Sequence, residues 1–259
     1  ANPDTASTDG TITKLSLSWT PNSDSLFYAT YSEGFRPGLL NRPGGATNPA
    51  GTFTVPFAVD TDELTNYELG WKLDLLDSTL RFNAAVFFSD IEDLQTGIFD
   101  ASITNLFFTD NAADAEVTGF EGDILWMPDS INGLTVSGAF SFNDSEITRV
   151  ITPTNDVTKG DSLAFAPEFQ FSLRARYEWS VGSGRTAHFM PHATYSDQSY
   201  SDIITINRAR VDDWLMLGFT AGITQDQWSA EFFAENITDE MAEISRSFIY
   251  DRHRVSYAR

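Results

Sequence analysis

Apolar and polar residues alternate one by one along much of this 259-residue chain. The odd positions are apolar in segments 69–75, 169–179 and 215–223, and the even positions are apolar in 134–142. Successive side chains of a β-strand point to opposite faces, so each segment has one apolar and one polar face. The pattern predicts ten strands and the start of an eleventh near residue 254. The ten lie at about 11–20, 25–33, 63–76, 79–95, 113–127, 134–148, 163–179, 185–197, 210–224 and 227–237.

The connections between these strands are alternately short and long. Short turns fall at 21–24, 77–78, 128–133, 181–184 and 225–226, and long connections at about 34–62, 96–112, 149–162, 198–209 and 238–253. Barrels of the outer membrane have short turns at one end and long loops at the other. Trp19, Trp126, Trp179 and Trp228 lie beside short turns, as an interfacial aromatic girdle requires. The sequence therefore predicts an all-β, antiparallel transmembrane β-barrel, and a water-soluble β-sandwich is the alternative.

Composition excludes several other classes. There is no Cys, so no disulfide framework, iron–sulfur cluster or thiol nucleophile exists. The net charge of −21 argues against a nucleic-acid partner, because nothing would replace the counterions of a phosphate backbone. No apolar run approaches the length of a transmembrane helix. With 21 Phe, 8 Tyr and 6 Trp, the chain is also too aromatic for a disordered one.

Much of the acidic charge lies where strands meet the long connections. Nine carboxylates form this predicted collar: Asp90, Glu92, Asp93, Asp114, Glu116, Asp144, Glu146, Asp212 and Asp213. One interpretation places them above the hydrocarbon, solvated or bridged by divalent ions to lipopolysaccharide. The other is a negative field in the barrel's external mouth, which would favour a neutral or cationic ligand over a strongly anionic chelate.

Several segments in register resemble one family. They are Tyr28–Gly38 (YATYSEGFRPG), Leu64–Lys72 (LTNYELGWK), Leu80–Phe88 (LRFNAAVFF), Asp90–Gln95 (DIEDLQ), Asn111–Glu121 (NAADAEVTGFE), Ala166–Glu168 (APE) and Glu235–Glu240 (ENITDE). With these segments in order, the chain resembles the C-terminal half of the barrel of TonB-dependent outer-membrane receptors, siderophore receptors among them. The resemblance covers nearly the whole sequence.

The resemblance implies a barrel of twenty-two strands around an N-terminal plug. Residues 1–259 would be the C-terminal part of that barrel, with the plug and the N-terminal barrel half outside this sequence. The chain begins without Met and stops at Arg259 about one strand short, so we expect it to lie within a longer polypeptide. A complete barrel of ten or twelve strands is the rival architecture.

The resemblance also implies a function. The parent protein would be an outer-membrane receptor that imports a scarce nutrient, an iron–siderophore complex first of all, with energy from TonB. Its partners would be outer-membrane lipid and lipopolysaccharide, TonB through the absent N-terminal part, and a small-molecule ligand such as a metal chelate. No cofactor and no enzymatic activity are implied. The alternatives are a passive porin and a barrel that anchors an enzyme or adhesin.

The long connections are where ligand recognition is expected, because external loops carry function on such scaffolds. Aromatic surface with a few fixed charges suits a bulky, semi-polar ligand. Packing of the loops on themselves is the alternative for each residue. The candidate ligand-binding residues are Phe35, Arg36, Arg42, Phe99, Phe107, Phe108 and Tyr200.

Three further motifs are weak signals of a catalytic or metal site. Gly160–Leu163 spells a lipase-type GDSL signature, but no helix follows it and no Asp-x-x-His partner has the required spacing. His188, Met190 and His192 share one strand face and are residue types that bind copper, yet ligands two residues apart lie about 6–7 Å apart, too far to share one ion without residues from a neighbouring strand. The sequence leaves open whether they bind a metal, and polar residues facing the lumen are the alternative. Asp60–Asp62 begins like a calcium loop and lacks its Gly and Glu.

Overall fold

The computed structural model describes residues 8–42, 45–99, 103, 107–152, 156–249 and 252–258. Ten long strands form one sheet: β1 (Lys14–Asn22), β2 (Ser25–Arg36), β5 (Asp62–Leu75), β6 (Leu80–Ile98), β7 (Phe108–Trp126), β8 (Leu134–Val150), β9 (Phe169–Gly182), β10 (Arg185–Ser196), β13 (Trp214–Gln225) and β14 (Trp228–Ala234). Short strands lie in the long connections: β3 (Leu39–Leu40), β4 (Ala58–Val59), β11 (Ser199–Tyr200) and β12 (Arg210–Val211). The last two are β15 (Ala242–Ile249) and β16 (Arg252–Ala258). Within these ranges, no helix has the length and apolar character needed to cross a membrane.

Each long strand pairs with its neighbours in the sequence, and every pairing is antiparallel. The ten predicted strands are therefore confirmed, although β1, β9 and β13 begin three to six residues later than predicted, at Lys14, Phe169 and Trp214. β1 and β14 are the edges of this sheet. A sheet edge presents unpaired backbone groups, which hydrocarbon does not tolerate.

The prediction of a long loop over 238–253 is wrong. Ala242–Ile249 is a strand that pairs with Arg252–Ala258. The predicted strand near residue 254 is confirmed, but its partner is this neighbour. Arg246 interrupts the apolar positions of the segment, and its guanidinium is bound by Glu243 of the same strand. A local ion pair thus accommodates a charge that made the segment look like a loop.

The registers join the apolar faces of the strands into one continuous surface. Residues directly opposite in a ladder point to the same side. One such row crosses nine strands without a polar residue: Trp19, Phe27, Trp71, Ala84, Gly122, Phe140, Phe171, Tyr195 and Leu215. We call this side of the sheet the outer face. Many of its side chains are exposed, with Leu17 73% and Trp19 63% accessible, as expected of a surface that faces lipid.

The opposite side, the inner face, is polar and unusually flat. Rings on this face lie over glycines of the next strand, where a Cβ would overlap them. The four contacts are Tyr28 over Gly70, Phe87 over Gly119, His188 over Gly222 and His192 over Gly218. The predicted sharing of one face by His188, Met190 and His192 is confirmed by their register with β13.

Charges and tryptophans mark the two ends of the outer face. Trp19, Trp126, Trp179 and Trp228 all lie on it beside the short turns. At the other end, five of the nine collar carboxylates extend the same rows: Asp90, Glu92, Glu116, Asp144 and Glu146. They therefore surround the barrel on the outside. The prediction of a neutral or cationic ligand, which needed them to line the mouth, loses this support.

The hydrophobic core lies beside the sheet, among the long connections. We call the described residues of 37–61, 99–107, 151–168 and 197–213, with the strand ends beneath them, the cap. Its buried side chains are Phe53, Val55, Ile98, Ile103, Phe108, Ala112, Ala113, Ile147, Val157, Ile203 and Ile204. A lipid-facing sheet needs no core of this kind, so the core shows that four loops fold together as one body.

Candidate functional site

The first loop of the cap is held at its base by Arg36. Its Nε donates to Oδ2 of Asp62 at 2.7 Å, and its Nη2 donates to Asp62 and to the carbonyl oxygen of Gln95 at 2.9 Å. The Gln95 side chain donates in turn to the carbonyl oxygens of Pro37 and Asp60. Asp62 is 5% exposed and needs this cation, because a buried carboxylate without a partner is costly. Arg36 thus closes the loop.

Two asparagines tie the same loop to β7. The Asn41 side chain donates to the carbonyl oxygen of Thr109 at 2.7 Å and accepts from its N–H at 2.9 Å. Asn111 donates to the carbonyl oxygens of Asp60 and Asp93 and accepts from the N–H of Asp60. The Asp60–Asp62 segment is therefore used in loop anchoring.

The three candidate phenylalanines of the second loop have different environments. Phe108 is 5% exposed and packs on Phe53, with ring centroids 6.0 Å apart. Phe99 is also 5% exposed. Phe107 is 60% exposed and packs one side of its ring on Phe99, at a centroid distance of 5.0 Å. Phe99 and Phe108 support the cap, and Phe107 is available on its surface.

Tyr200 lies beneath Arg208, which connects two loops. The guanidinium is 3.9 Å from the centroid of the Tyr200 ring. It donates to the Ser162 carbonyl oxygen at 2.9 Å, to Ser162 Oγ at 3.0 Å and to the Asp202 carbonyl oxygen at 2.9 Å. Its Nε is 3.6 Å from Oδ2 of Asp161. The hydroxyl of the GDSL sequence therefore accepts a bond from Arg208, and no nucleophile–base pair is seen there.

Burial of Asp202 perturbs its carboxyl. Desolvation raises the pKa of Asp202, against the opposing effect of the Ile204 and Ile203 N–H groups and the Arg208 charge. The Asn207 side chain beside it donates to the Phe99 carbonyl oxygen at 2.9 Å, across 108 residues. The fourth loop, 197–213, therefore contacts both the second loop, through Phe99, and the third loop, through Ser162.

The remaining candidates are on the surface or on the outer face. Arg42 is exposed at the top of the first loop. Phe35 lies opposite Glu63 in the ladder between β2 and β5, which places it on the outer face, and it is 38% exposed. Sequence reasoning missed Arg208, Asn41 and Asn207, because a polar residue in a predicted loop carries no signal for a contact so distant in the chain.

Metal-ligating residues do not cluster in the described ranges. No group of three or more His, Asp or Glu side chains there is close enough together to hold an ion. A depression of about 360 Å³ in the sheet has Tyr28, Lys72, Glu121 and Asp123 in its lining.

Comparison with known proteins supports the architecture. Residues 2–237 match the family model described as TonB dependent receptor-like, beta-barrel. The metal-pseudopaline receptor CntO of Pseudomonas aeruginosa is 29% identical over 165 residues, 63% of this chain and 21% of that protein. Solved structures share the fold over nearly the whole chain. The siderophore receptor PiuA of Acinetobacter baumannii has a TM-score of 0.68 and 20% identity, over 95% of this chain and 34% of that one. The ferric yersiniabactin uptake receptor FyuA of Yersinia pestis has a TM-score of 0.69 and 17% identity, over 94% and 34%.

The chain thus spans about a fifth of the matched relative's length and about a third of the solved receptors. Its ten-strand meander, lipid-type outer face and loop-end cap fit a sector of such a barrel. Members of the matched family are β-barrel proteins of the outer membrane. The chain belongs to the TonB-dependent receptor β-barrel family.

Proposed function

We propose that this chain is the C-terminal part of an outer-membrane receptor that imports an iron–siderophore complex or a similar metal chelate, with energy from TonB. The observation that carries the proposal is the family match over residues 2–237. The names of the similar proteins support the same function, since they describe a metal-pseudopaline receptor and siderophore receptors. The plug and the TonB-contacting segment would lie outside residues 1–259.

The cap supplies the external ligand-contacting surface in this proposal. Phe107 and Arg42 are exposed on it and would contact the ligand directly. Arg36, Phe99, Phe108 and Tyr200 are engaged within the protein and would act by holding that surface in shape. An exposed aromatic ring and an exposed cation on the same cap suit a chelate that presents both apolar and oxygen-rich surface.

The membrane partners follow from the outer face. Its apolar rows would contact outer-membrane lipid, and the five carboxylates above them would lie at the level of the lipopolysaccharide phosphates. Carboxylates and phosphates share a preference for Ca²⁺ and Mg²⁺, so divalent ions would bridge the two. We propose no catalytic role, because Ser162 is bound by Arg208.

The test is uptake of radioactive iron, presented as a panel of siderophores, by cells lacking their own receptors and supplied with the parent protein. We expect uptake that needs both the protein and TonB. The Phe107→Ala variant should lower ligand affinity more than fivefold, whereas Phe165→Ala, which is exposed to a similar degree, should not. Swelling of liposomes by small sugars through the purified protein, without TonB-dependent uptake, would instead show a porin.

A further inference from the structure

Two imidazoles on the inner face occupy equivalent positions with different contacts. His188 lies over Gly222, whose next ladder partner is Glu231 of β14. His192 lies over Gly218 and reaches Glu235 in the same way, with Nε2 2.7 Å from Oε2. The missing Cβ of each glycine is what lets an imidazole cross β13. The arrangement is therefore repeated four residues further along the strands.

The His188–Glu231 pair does not form a hydrogen bond. Nε2 of His188 is 3.4 Å from Oε1 of Glu231 and has no hydrogen-bond partner. The His188 side chain is 3% exposed, whereas that of Glu231 is 56% exposed. A buried ring nitrogen without a partner is unfavourable, and its burial excludes a bulky partner. A small group that bridges the two side chains would satisfy it.

The geometry matches one metal ion. Two ligands on a tetrahedral ion, with bonds of 2.0–2.1 Å, are about 3.3 Å apart. Imidazole nitrogen and carboxylate oxygen are ligands preferred by Zn²⁺ and neighbouring divalent transition metals. Glu178 on β9 lies opposite His188 in the ladder, but its carboxylate accepts a hydrogen bond from Arg176 at 2.6 Å.

We propose that His188 and Glu231 together bind one Zn²⁺-type divalent ion in the barrel wall. The ion links β10 to β14 across β13. Water from the open side beside Glu231 completes its coordination, since no third side chain is at hand among the described residues. His192 takes no part, because a shift of four residues along a strand is about 13 Å. The site is separate from the cap and does not depend on which ligand is transported.

Calorimetric titration of the detergent-purified parent protein with ZnCl₂ tests the proposal. We expect one site in the wild type, with at least a tenfold loss of affinity in His188→Gln and in Glu231→Gln. The matched variants His192→Gln and Glu235→Gln should keep wild-type affinity. If His188→Gln does not fold, Glu231→Gln carries the test, because its side chain is exposed.

Spectroscopy supplies a second readout. Cu²⁺ bound at the site should show electron–nuclear coupling to a single imidazole nitrogen, lost in His188→Gln. Absence of Zn²⁺ binding in the wild type would overturn the proposal and leave a water as the bridging group. Equal losses in the His192 pair and the His188 pair would overturn it as well.

Discussion

Replacement of Arg208 by Ala tests whether the cap is one folded unit. The change removes three hydrogen bonds at 2.9–3.0 Å, an ion pair at 3.6 Å and the contact with the Tyr200 ring. The Arg208 side chain is only 11% exposed, so the Ser162 and Asp202 carbonyl groups would lose partners where water enters poorly. Charge-assisted bonds are about twice as strong as neutral ones.

The expected loss is about 3 kcal/mol in the opening free energy of the cap. That is at the low end for breaking a buried charged cluster, about 3–5 kcal/mol, because Asp161 keeps 30% of its surface and stays partly hydrated. Since about 1.4 kcal/mol is a tenfold change, amide exchange in all four cap loops should accelerate by about 150-fold. Exchange in the parts of β6 to β8 next to the short turns should not change.

Arg210 supplies the matched control. It lies in the same loop, but its side chain is 55% exposed and pairs with Asp212 at 2.9 Å in water. Exposed pairs contribute about 0–1 kcal/mol, so Arg210→Ala should accelerate exchange less than about fivefold. Equal effects of the two variants, or acceleration confined to residues next to Arg208, would refute the picture of a jointly folded cap.

Three other changes test separate parts of the structure. Gly133→Ala should strongly reduce barrel assembly, measured by heat-modifiable gel mobility, because the φ of Gly133 is +86° and a methyl group there would overlap a backbone carbonyl of β9. Gly182→Ala is the control: its φ is +82°, but the space around it is open, so the change should lower the folding stability by only about 1 kcal/mol. Ile204→Ala removes a fully buried side chain, so it should destabilise the cap by about 3 kcal/mol and accelerate proteolysis of the cap. Ile206 is 63% exposed, and Ile206→Ala should leave the proteolysis rate of the cap unchanged. Because the pKa of Asp202 is raised in the folded cap, ionisation of this carboxyl opposes folding, and cap stability should fall as the pH rises from about 4 through that pKa. Thermal melts at several pH values should show this fall in the wild type and a flatter dependence in Asp202→Asn. If the stability of Asp202→Asn fell more steeply with pH than that of the wild type, ionisation of Asp202 would favour folding and the prediction would be wrong.

The strands of the sheet could be predicted because lipid and water act on opposite faces of each one. This two-sided solvent imposes a strict period of two, which remains visible in β9 and β13 without any tertiary information. Pro191 did not break the pattern. Its ladder to β13 continues, and the pairs of Met190 and Pro191 with β9 are absent without a shift of register at that point.

The roles of loop residues could not be predicted in the same way. Phe107 and Phe108 are adjacent and identical in type, yet one is exposed and the other buried. Arg36 and Arg42 look alike in the sequence, but only Arg36 meets a buried carboxylate. These differences arise from contacts between segments far apart in the chain, such as Asn207 with Phe99. Local composition contains no record of them.

The rings that lie over glycines set the height of the inner face of the sheet. Tyr28 and Phe87 stay parallel to the wall only because Gly70 and Gly119 offer no Cβ. An alanine at either position would place a methyl carbon 2.2 Å from the ring. The ring would then have to rise from the sheet until the two carbons are about 3.5–4.0 Å apart, the separation of carbon atoms in contact. Single glycine substitutions can therefore raise the inner face locally without changing the lipid-type outer face or the strand order.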